Sequence, residues 1–411
     1  MPHIKPILAA LKRHKAGTIL IALQIALTLA IVCNALFIIQ QRVTRLSRPT
    51  GMDESNLVAI QNRWVGVTDA AAAGVLTRAD VLALRQMPGV QDAVQVNAFP
   101  LRGGGWSTGV RVDVDGKKPI AHTTQYFMDE HALATMGVKL IAGRNFRADE
   151  VVTTDPDKIQ TSPQAIVSKA LADKLYPDGS ALGKPIYLGD DRTPSTVIGV
   201  VERLQVPWGA AWTDDFAENS VILPVQLTGN FSTYLIRAKP GQQAELVKAA
   251  PAMLTKLNRL RVITGDRGVR TFEVVREQAY KSDRGLAILM GVICLILLAI
   301  TAAGIVGLTS FWVGQRRKQI GVRRALGATK HDILSYFLTE NLMIGIAGVV
   351  IGALMAVGLN LWMVTQFEMA RLSMAYVAAG VIALLLLGQA AVLAPAMRAA
   401  KVPPVEATRS V

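Results

Sequence analysis

The sequence predicts an α-helical membrane protein with four transmembrane helices and a large α+β extracytoplasmic domain inserted between helices 1 and 2. Four uncharged apolar stretches are each long enough to cross a bilayer core, which needs about 20 helical residues. Only 18% of the 411 residues are charged, whereas soluble proteins carry about 25%. Between the first two apolar stretches, residues 42–284 mix strand-like and helical patterns.

The apolar stretches are rich in leucine, isoleucine, valine and alanine. The first follows basic residues, as a signal peptide does, but its apolar run is too long for one and no clean cleavage site follows. Ala30–Cys33 is faintly similar to a lipoprotein box, with Val32 where glycine or alanine is wanted. We therefore predict a retained anchor. The stretches are Ala16–Gln41, Gly285–Gln315, Asn341–Phe367 and Leu372–Met397.

Basic residues flank one set of span ends. The net charge is +14, yet residues 41–284 hold 30 Lys/Arg against 26 Asp/Glu, so most of the excess lies beside the spans and does not indicate nucleic-acid binding. The positive-inside rule places both termini and the 313–335 loop in the cytoplasm. The flanking residues are Lys5, Lys12, Arg13, Lys15, Arg316, Arg317, Lys318, Arg323, Arg324, Lys330, Arg398, Lys401 and Arg409.

Charge and hydropathy together predict a complete set of segments. Trp312 and Trp362 lie near span ends, where tryptophan is common in the aromatic belt at the membrane interface. The alternative is that both are ordinary lipid-facing side chains. Gly348 and Gly352 have the spacing that permits close helix packing. We find no paired charges within the spans, which argues against an ion path. The segments are cytoplasmic 1–15, helix 16–41, extracytoplasmic 42–284, helix 285–312, cytoplasmic 313–335, helix 336–366, extracytoplasmic turn 367–372, helix 373–395 and cytoplasmic 396–411.

The extracytoplasmic region predicts an α+β domain, in two lobes. We place a helix at Thr77–Gln86 with Thr77 as N-cap and Asp80 as its capping-box partner, and we end another before Pro251. Arg42–Leu46 and Phe272–Asp283 are expected to continue the first two spans as helices. The strand-like runs are Leu57–Gln61, Gly109–Val114, Gln164–Ser168, Ser195–Val201, Ser220–Pro224 and Phe231–Ala238, and the other helical runs are Ser168–Tyr176 and Gln242–Ala250.

Signals for catalysis or a bound cofactor are weak. Cys33 and Cys294 lie in apolar stretches, so the outer domain has no disulfide. His122 and His131 are its only histidines and lack ligand spacing, so we expect no metal site. The Gly179–Pro185 segment imitates a phosphate loop, but it has three residues between its glycines and proline after its lysine. We therefore expect no enzyme and no directly bound ATP.

Trp208 and Trp212 lie in a loop-like Val-Pro-Trp-Gly-Ala-Ala-Trp stretch of the outer domain. An exposed pair of tryptophans is a candidate partner loop of the extracytoplasmic domain, because aromatic residues dominate interface energetics. The alternative is a hairpin tip that packs on its own domain.

The cytoplasmic loop is the most informative stretch. Residues 316–326 predict a short basic helix with Ile320, Val322 and Leu326 interleaved, and Gly327 suits the position just after its end. Thr329 then caps a new helix with Asp332 at its third position. The sequence thus predicts a helix–turn–helix elbow, and the alternative is an ordinary basic loop.

This loop resembles that of FtsX/MacB-type ABC transporter permeases, whose pattern is roughly Arg-x-x-Glu-Ile-Gly-x-Arg-x-Ala-x-Gly-Ala-x-x-x-Asp-Ile. Gln319 replaces the usual glutamate. Further stretches resemble the MacB-like periplasmic core and the family's closing segment. The loop matches are Ile320, Gly321, Arg323, Ala325, Gly327, Ala328, Asp332 and Ile333, and the other stretches are Met136–Phe146, Ala165–Tyr176, Leu182–Lys184, Val197–Val201 and Ala394–Ala407.

The resemblance implies an inner-membrane permease that dimerises with a second copy or a homologous permease. Each permease binds a separate ATPase subunit, which uses ATP and Mg²⁺, and a periplasmic adaptor and outer-membrane channel complete the exporter. The loss of the carboxylate at Gln319 suggests the less active half of a heterodimer. The coupling helix would contact the ATPase through Arg316, Gln319, Ile320, Gly321, Arg323, Arg324, Ala325, Leu326 and Gly327.

Three functions fit the resemblance. The leading one is export of a peptide, toxin or drug from the periplasm. The second is lipoprotein release, in which lipoprotein would accumulate in the inner membrane on depletion. The third is an FtsX-like regulator of cell-wall hydrolases, for which the outer domain is larger than the role needs.

Overall fold

The computed structural model describes residues 15–67, 69–116, 118–156, 162–263, 267–367 and 371–403. The segments before Lys15 and after Pro403, and residues 368–370 of the predicted turn, lie outside the described residues. So do Lys5, Lys12, Arg13 and Arg409 of the orientation argument. The chain divides into two units, of which one is Ser47–Ser282 and the other joins Met1–Leu46 to Asp283–Val411.

Helices and strands follow one another in a mixed order along the chain. They are α1 Lys15–Leu46, β1 Leu57–Trp64, α2 Ala70–Arg85, β2 Val90–Val96, β3 Trp106–Arg111, β4 Ala121–Met128, α3 Ala132–Met136, β5 Leu140–Gly143, β6 Val152–Thr154, β7 Gln164–Ser168, α4 Lys169–Leu175, β8 Pro185–Leu188, β9 Ser195–Val201, β10 Ser220–Leu227, β11 Phe231–Ala238, α5 Gln243–Leu257, β12 Arg261–Val262, β13 Val269–Thr271, α6 Phe272–Gln315, α7 Arg317–Ala325, α8 Lys330–Phe367 and α9 Met374–Ala400.

Among the described residues, four helices are long and apolar enough to cross a membrane, namely α1, α6, α8 and α9. Their number and order agree with the four predicted spans. Two of them continue beyond their apolar stretches, as predicted, because α1 runs on to Leu46 and α6 starts at Phe272.

Small residues let α1 and α8 approach closely. A Cβ atom on Gly348 would lie 2.9 Å from the Ala22 carbonyl oxygen, and one on Gly352 would lie 2.8 Å from the Ala26 carbonyl oxygen. Side chains at these two positions would collide with the backbone of α1, so the absence of a side chain permits the contact. The sequence prediction that this glycine pair serves close packing is confirmed.

The two span-end tryptophans differ. Trp312 is buried, and its indole fills the space that Gly17 leaves on α1. The expectation of a belt or lipid-facing residue is therefore wrong for Trp312, because a glycine 295 positions away provides its site. Trp362 is exposed on the surface of α8, as either expectation requires.

The outer domain contains two sheets with separate clusters of buried side chains. The smaller sheet has the strand order β12-β1-β11-β2, with β13 also paired to β1. Helices α2 and α5 contribute Leu84, Leu246 and Leu254 to the cluster that also contains Ile60 and Tyr234 from its strands. Two sheets with their own cores agree with the expected α+β content in two lobes.

The larger sheet has the strand order β4-β3-β8-β9-β7-β10-β6, with β5 paired to β9. Strand β10 also pairs with β4 in parallel register, with Ile222 opposite Tyr126. This pairing closes six of the strands into a ring, which removes two exposed edges. Side chains such as Phe127, Val167 and Val221 form its buried cluster.

The predicted helix at Thr77–Gln86 starts too late. Helix α2 begins at Ala70, and its N-cap is Asp69, whose carboxylate accepts hydrogen bonds from the backbone N–H groups of Ala71 and Ala72. Thr77 and Asp80 lie in the middle of the helix, beyond its first turn, and both are buried. The capping-box assignment is wrong because both side chains bond to distant partners instead of to the local backbone.

The predicted stop before Pro251 is also wrong. Helix α5 runs through Pro251 to Leu257. Proline removes one helical hydrogen bond, but Leu246, Ala250 and Leu254 lie on one face that is buried against the smaller sheet. Packing on both sides of the proline outweighs the local preference.

Three of the six predicted strands have the predicted bounds, and two others start as predicted but continue to Trp64 and Leu227. Gln164–Ser168, Ser195–Val201 and Phe231–Ala238 have the predicted bounds. The run predicted at Gly109–Val114 begins earlier and ends at Arg111, because the Asp113 carboxylate accepts from the Asp115 N–H and turns the chain.

Candidate functional site: the elbow between the second and third membrane helices

Short-range contacts form the elbow, because they end helix α7 and start helix α8. Helix α6 ends at Gln315, and α7 ends at Ala325. Gly327 has φ of +98°, a conformation that glycine adopts without strain. The Ala328 N–H donates to the Arg323 carbonyl at 3.0 Å, and the Gly327 N–H donates to the Arg324 carbonyl at 3.2 Å. The prediction that Gly327 follows the helix end is confirmed.

The start of α8 has the predicted capping box. The Thr329 hydroxyl accepts from the Asp332 N–H at 3.2 Å, and the Asp332 carboxylate accepts from the Thr329 N–H at 2.8 Å. This reciprocal pair satisfies backbone donors at the helix start and sets the direction in which α8 leaves the elbow.

One face of α7 is buried in the unit that contains the four apolar helices α1, α6, α8 and α9, which we call the membrane unit. Ile320 belongs to the same cluster of buried side chains as Trp312 and Phe337, and Gly321 is buried beside it. Arg316, at the junction of α6 and α7, is also buried. These three predicted contact residues therefore anchor the elbow and are not available at its surface.

The opposite face of α7 is exposed and combines apolar with basic side chains. Leu326 is 84% exposed, and Val322 is exposed one helical turn earlier. Arg323 lies over the Tyr336 ring, with its guanidinium carbon 4.9 Å from the ring centroid. We call this exposed apolar and basic surface the elbow face. Its exposed residues are Lys318, Gln319, Val322, Arg323, Ala325, Leu326 and Gly327, and Arg324 is half-buried beside them.

A buried ion pair joins the elbow to α8. Arg316 Nη1 donates to both carboxylate oxygens of Glu340 at 2.9 Å. Glu340 lies inside the third span as we delimited it from sequence, at 336–366, whereas Arg316 lies in the 313–335 loop, so the pair joins a span residue to a loop residue. Sequence reasoning missed this pair because the two residues are far apart in the chain. A carboxylate at the start of an apolar run, after a basic loop, is the signal that points to it.

Two alternatives were predicted for the tryptophan loop of the outer domain: an exposed partner loop, or a hairpin tip that packs on its own domain. The loop has features of both. A short 3₁₀ helix, Ala211–Phe216, stacks its aromatic rings: Trp212 lies 5.2 Å from Trp208 and 5.7 Å from Phe216, centroid to centroid. Phe216 in turn lies 6.1 Å from His122. The cluster therefore packs on its own domain, while Trp212 remains 59% exposed.

A polar cleft of about 240 Å³ opens beside α2. Its central charges are already paired, because Arg85 contacts both Asp92 and Asp129. Burial raises the pKa of Asp129, and Gln226 donates to the same carboxylate. The ion pairs of Arg85 connect α2 to β2 and to the residue that follows β4 within the domain.

Two further weak signals from the sequence, the outer-domain histidines and the imitation phosphate loop, do not form a site among the described residues. His131 Nδ1 lies 3.1 Å from the Asp92 carboxylate, away from His122. Over the described ranges, no cluster of three or more histidine, cysteine or acidic side chains is arranged to hold a metal ion. In the imitation phosphate loop, Lys184 Nζ lies 4.4 Å from the centroid of the Tyr176 ring.

Comparison with known protein families finds two matches in tandem. The family described as MacB-like periplasmic core domain matches residues 18–251, and the family described as FtsX-like permease C-terminal matches residues 291–404. The first match alone covers more than half of the chain.

Curated relatives include a macrolide export ATP-binding/permease protein MacB from Chromobacterium violaceum. It is 30% identical over 282 residues, which are 66% of this chain and 41% of that protein. The pyoverdine export ATP-binding/permease protein PvdT from Pseudomonas savastanoi pv. phaseolicola is 24% identical over 83% of this chain and 49% of its own length. The chain thus spans less than half the length of these relatives.

Among solved structures, the chain is similar to the periplasmic region of MacB from Actinobacillus actinomycetemcomitans. The match has a TM-score of 0.35 and 15% identity, and it covers 57% of this chain and 97% of that one.

Proposed function

Because this chain belongs to the ABC transporter permeases with a MacB-like periplasmic core domain and an FtsX-like C-terminal domain, we propose that it is the permease subunit of an ATP-driven exporter. A separate nucleotide-binding subunit hydrolyses ATP with Mg²⁺, and the permease itself is not catalytic. The substrate class is a peptide, toxin or drug. Relatives named for macrolide and pyoverdine export support export as the task.

The proposed topology follows from charge. Both termini and residues 313–335 are cytoplasmic, residues 42–284 and the turn 367–372 are periplasmic, and the four spans cross the inner membrane at 16–41, 285–312, 336–366 and 373–395. The concentration of lysine and arginine at one set of span ends supports this orientation.

The elbow face is the proposed docking surface for the ATPase. The single observation that carries the proposal is Leu326, which is 84% exposed at the end of a helix whose other face is buried. An exposed leucine surrounded by basic side chains suits a partner that offers an apolar pocket with an acidic rim, since interface energy concentrates in a few central apolar contacts. The buried face holds this leucine in place.

The proposed assembly contains two permeases and two ATPase subunits. The second permease is another copy of this chain or a homologous one, and a periplasmic adaptor and outer-membrane channel complete the route. Helix α6 supports a further partner in the membrane, since large apolar side chains such as Ile288, Leu295 and Ile296 point away from its own unit. The tryptophan loop, through Trp212, is the proposed periplasmic contact.

Replacing Leu326 by glutamate is expected to release the ATPase. The substitution puts a charge at the centre of the interface, where loss of a central contact costs at least about 2 kcal/mol, or about thirtyfold in affinity. The measurement is the amount of ATPase that co-purifies with the tagged chain from native membranes in mild detergent.

His331→Glu is the matched control, because it introduces the same charge at an exposed position in the first turn of α8. It is expected to retain the ATPase. If both variants retain as much ATPase as the unaltered chain, the elbow face is not the docking surface.

Gln319→Glu is expected to raise the ATP hydrolysis rate of the complex. Gln319 is exposed on the elbow face, and a carboxylate there restores the residue that the family pattern has, with a charged contact to the ATPase. A modest gain is expected, since an exposed ion pair contributes about 0–1 kcal/mol. The measurement is phosphate release by the purified complex, and an unchanged rate would contradict the hypothesis that Gln319 lowers coupling.

A further inference from the structure

We propose that Arg316 and Glu340 are positioning residues, whose ion pair fixes the elbow helix α7 against α8 and thereby presents the elbow face to its partner. The partner's identity rests on the proposed function. The positioning itself rests on contacts within the membrane unit and can be tested without the partner.

The pair has the geometry of a strong, directed contact. Arg316 Nη1 donates to both oxygens of the Glu340 carboxylate at 2.9 Å. The two side chains are only 11% and 3% exposed. Burial weakens the competition from water, so the two charged groups interact more strongly than on the surface. Loss of one partner would leave a charge buried without compensation.

The position of the pair is as informative as its geometry. Arg316 is the single residue between α6 and α7, where φ is −94° and ψ is 9°, so its side chain acts at the bend itself. Its guanidinium carbon also lies 6.0 Å from the centroid of the Trp312 ring, one turn before the bend. The pair therefore fixes the direction in which the chain leaves α6.

The membrane unit gives α6 little other support. Among the four apolar helices, α6 buries the smallest share of its apolar stretch. Two of its polar contacts are with α1: Thr28 bonds to Thr301 at 2.8 Å, and Arg42 pairs with Asp283 near the other end of the span. Glu340 thus connects the elbow end of α6 to a different helix from the one that holds its opposite end.

Ile320 supplies a direct probe of the elbow's position. Its side chain is buried in the membrane unit, whereas Leu326 on the same helix is exposed. A cysteine at position 320 should react slowly with a water-soluble maleimide while α7 is docked on α8. A cysteine at position 326 should react quickly whether or not the helix is docked.

The experiment measures maleimide labelling of Ile320→Cys and Leu326→Cys in the full chain in detergent, with and without Glu340→Gln. The unaltered chain, whose Cys33 and Cys294 are both buried, gives the background. Glu340→Gln is expected to raise the labelling rate at position 320 by at least about tenfold, since breaking a buried pair is strongly unfavourable. The rate at position 326 is expected to stay the same.

A second variant covers the case in which Glu340→Gln fails to fold. Arg316→Gln combined with Glu340→Gln removes both charges, leaves no unpaired ion, and is expected to raise labelling at position 320 as well. Continued protection of position 320 in a folded variant of either kind overturns the proposal. If no ATPase co-purifies with the unaltered chain, that result contradicts the proposed function. It does not affect the labelling result, which depends only on contacts within the membrane unit.

Discussion

Replacing Asp80 by alanine is expected to unfold the smaller-sheet lobe of the outer domain. Asp80 accepts two hydrogen bonds from Arg261, at 2.7 and 2.8 Å, and both side chains are 1% exposed. Removing one member of a buried pair costs about 3–5 kcal/mol because the other charge remains buried and unpaired. A domain's whole stability is about 5–15 kcal/mol, so the loss is a large part of it.

Further contacts on the pair increase the expected effect. Tyr234 donates its hydroxyl to Asp80 at 2.7 Å, and burial raises the pKa of this tyrosine well above its usual value, which keeps it a donor. Arg261 also stacks on Trp64, 4.4 Å from the ring centroid. Alanine at position 80 leaves the tyrosine and the arginine without their acceptor, and unsatisfied buried donors add to the cost.

Limited proteolysis of the full chain in detergent measures this loss. The Asp80→Ala variant is expected to be cut within the outer domain at protease concentrations that leave the unaltered chain intact. Asp173→Ala is the matched control, because Asp173 pairs with Lys169 at 2.6 Å while the two side chains are 63% and 55% exposed. Such a pair contributes about 0–1 kcal/mol. Equal resistance of the two variants would contradict the structural role of Asp80.

Replacing Gly352 by leucine is expected to separate α8 from α1. A Cβ atom at this position would lie 2.8 Å from the Ala26 carbonyl oxygen and 2.9 Å from the Ala26 Cα. These are backbone atoms, which cannot rotate away as a side chain can. Overpacking in a core typically costs about 1–3 kcal/mol, and the whole leucine side chain must find space in addition to the Cβ.

Gly358→Leu is the control for this substitution. Gly358 lies on the same helix, and apart from the adjacent residues and nearby backbone of that helix, no described atom lies within 4 Å of its Cβ position. The measurement is the midpoint of thermal aggregation of the full chain in detergent. Gly352→Leu is expected to lower this midpoint by several degrees, whereas Gly358→Leu is expected to leave it unchanged. Equal midpoints for both variants would show that the close approach of α1 and α8 is not required.

The features that were predictable from sequence are those that neighbouring residues determine. The elbow is one: Gly327, Thr329 and Asp332 act through backbone atoms a few residues away, and their roles are as predicted. The spans and the glycine pair of α8 are others, because hydropathy and spacing report them directly.

The features that sequence reasoning missed depend on residues far apart in the chain. Asp80 was predicted to be a capping-box partner, but its carboxylate binds Arg261, which lies 181 residues later in the sequence. Pro251 looked like a helix end, but the buried face of α5 continues beyond it. Arg316 was predicted to contact the ATPase, but it is buried and paired with Glu340. In each case tertiary packing overrides a local preference.

The most direct test of the proposed function is site-specific photo-cross-linking from the elbow. A photoreactive amino acid in place of Leu326 in the full chain, irradiated in native membranes, is predicted to form a covalent adduct with a small ATPase that mass spectrometry identifies by its phosphate loop. The same group at the buried Ile320 is predicted to give no such adduct. If position 326 yields no ATPase adduct, or if only position 320 does, the elbow face is not the surface through which ATP hydrolysis reaches this permease.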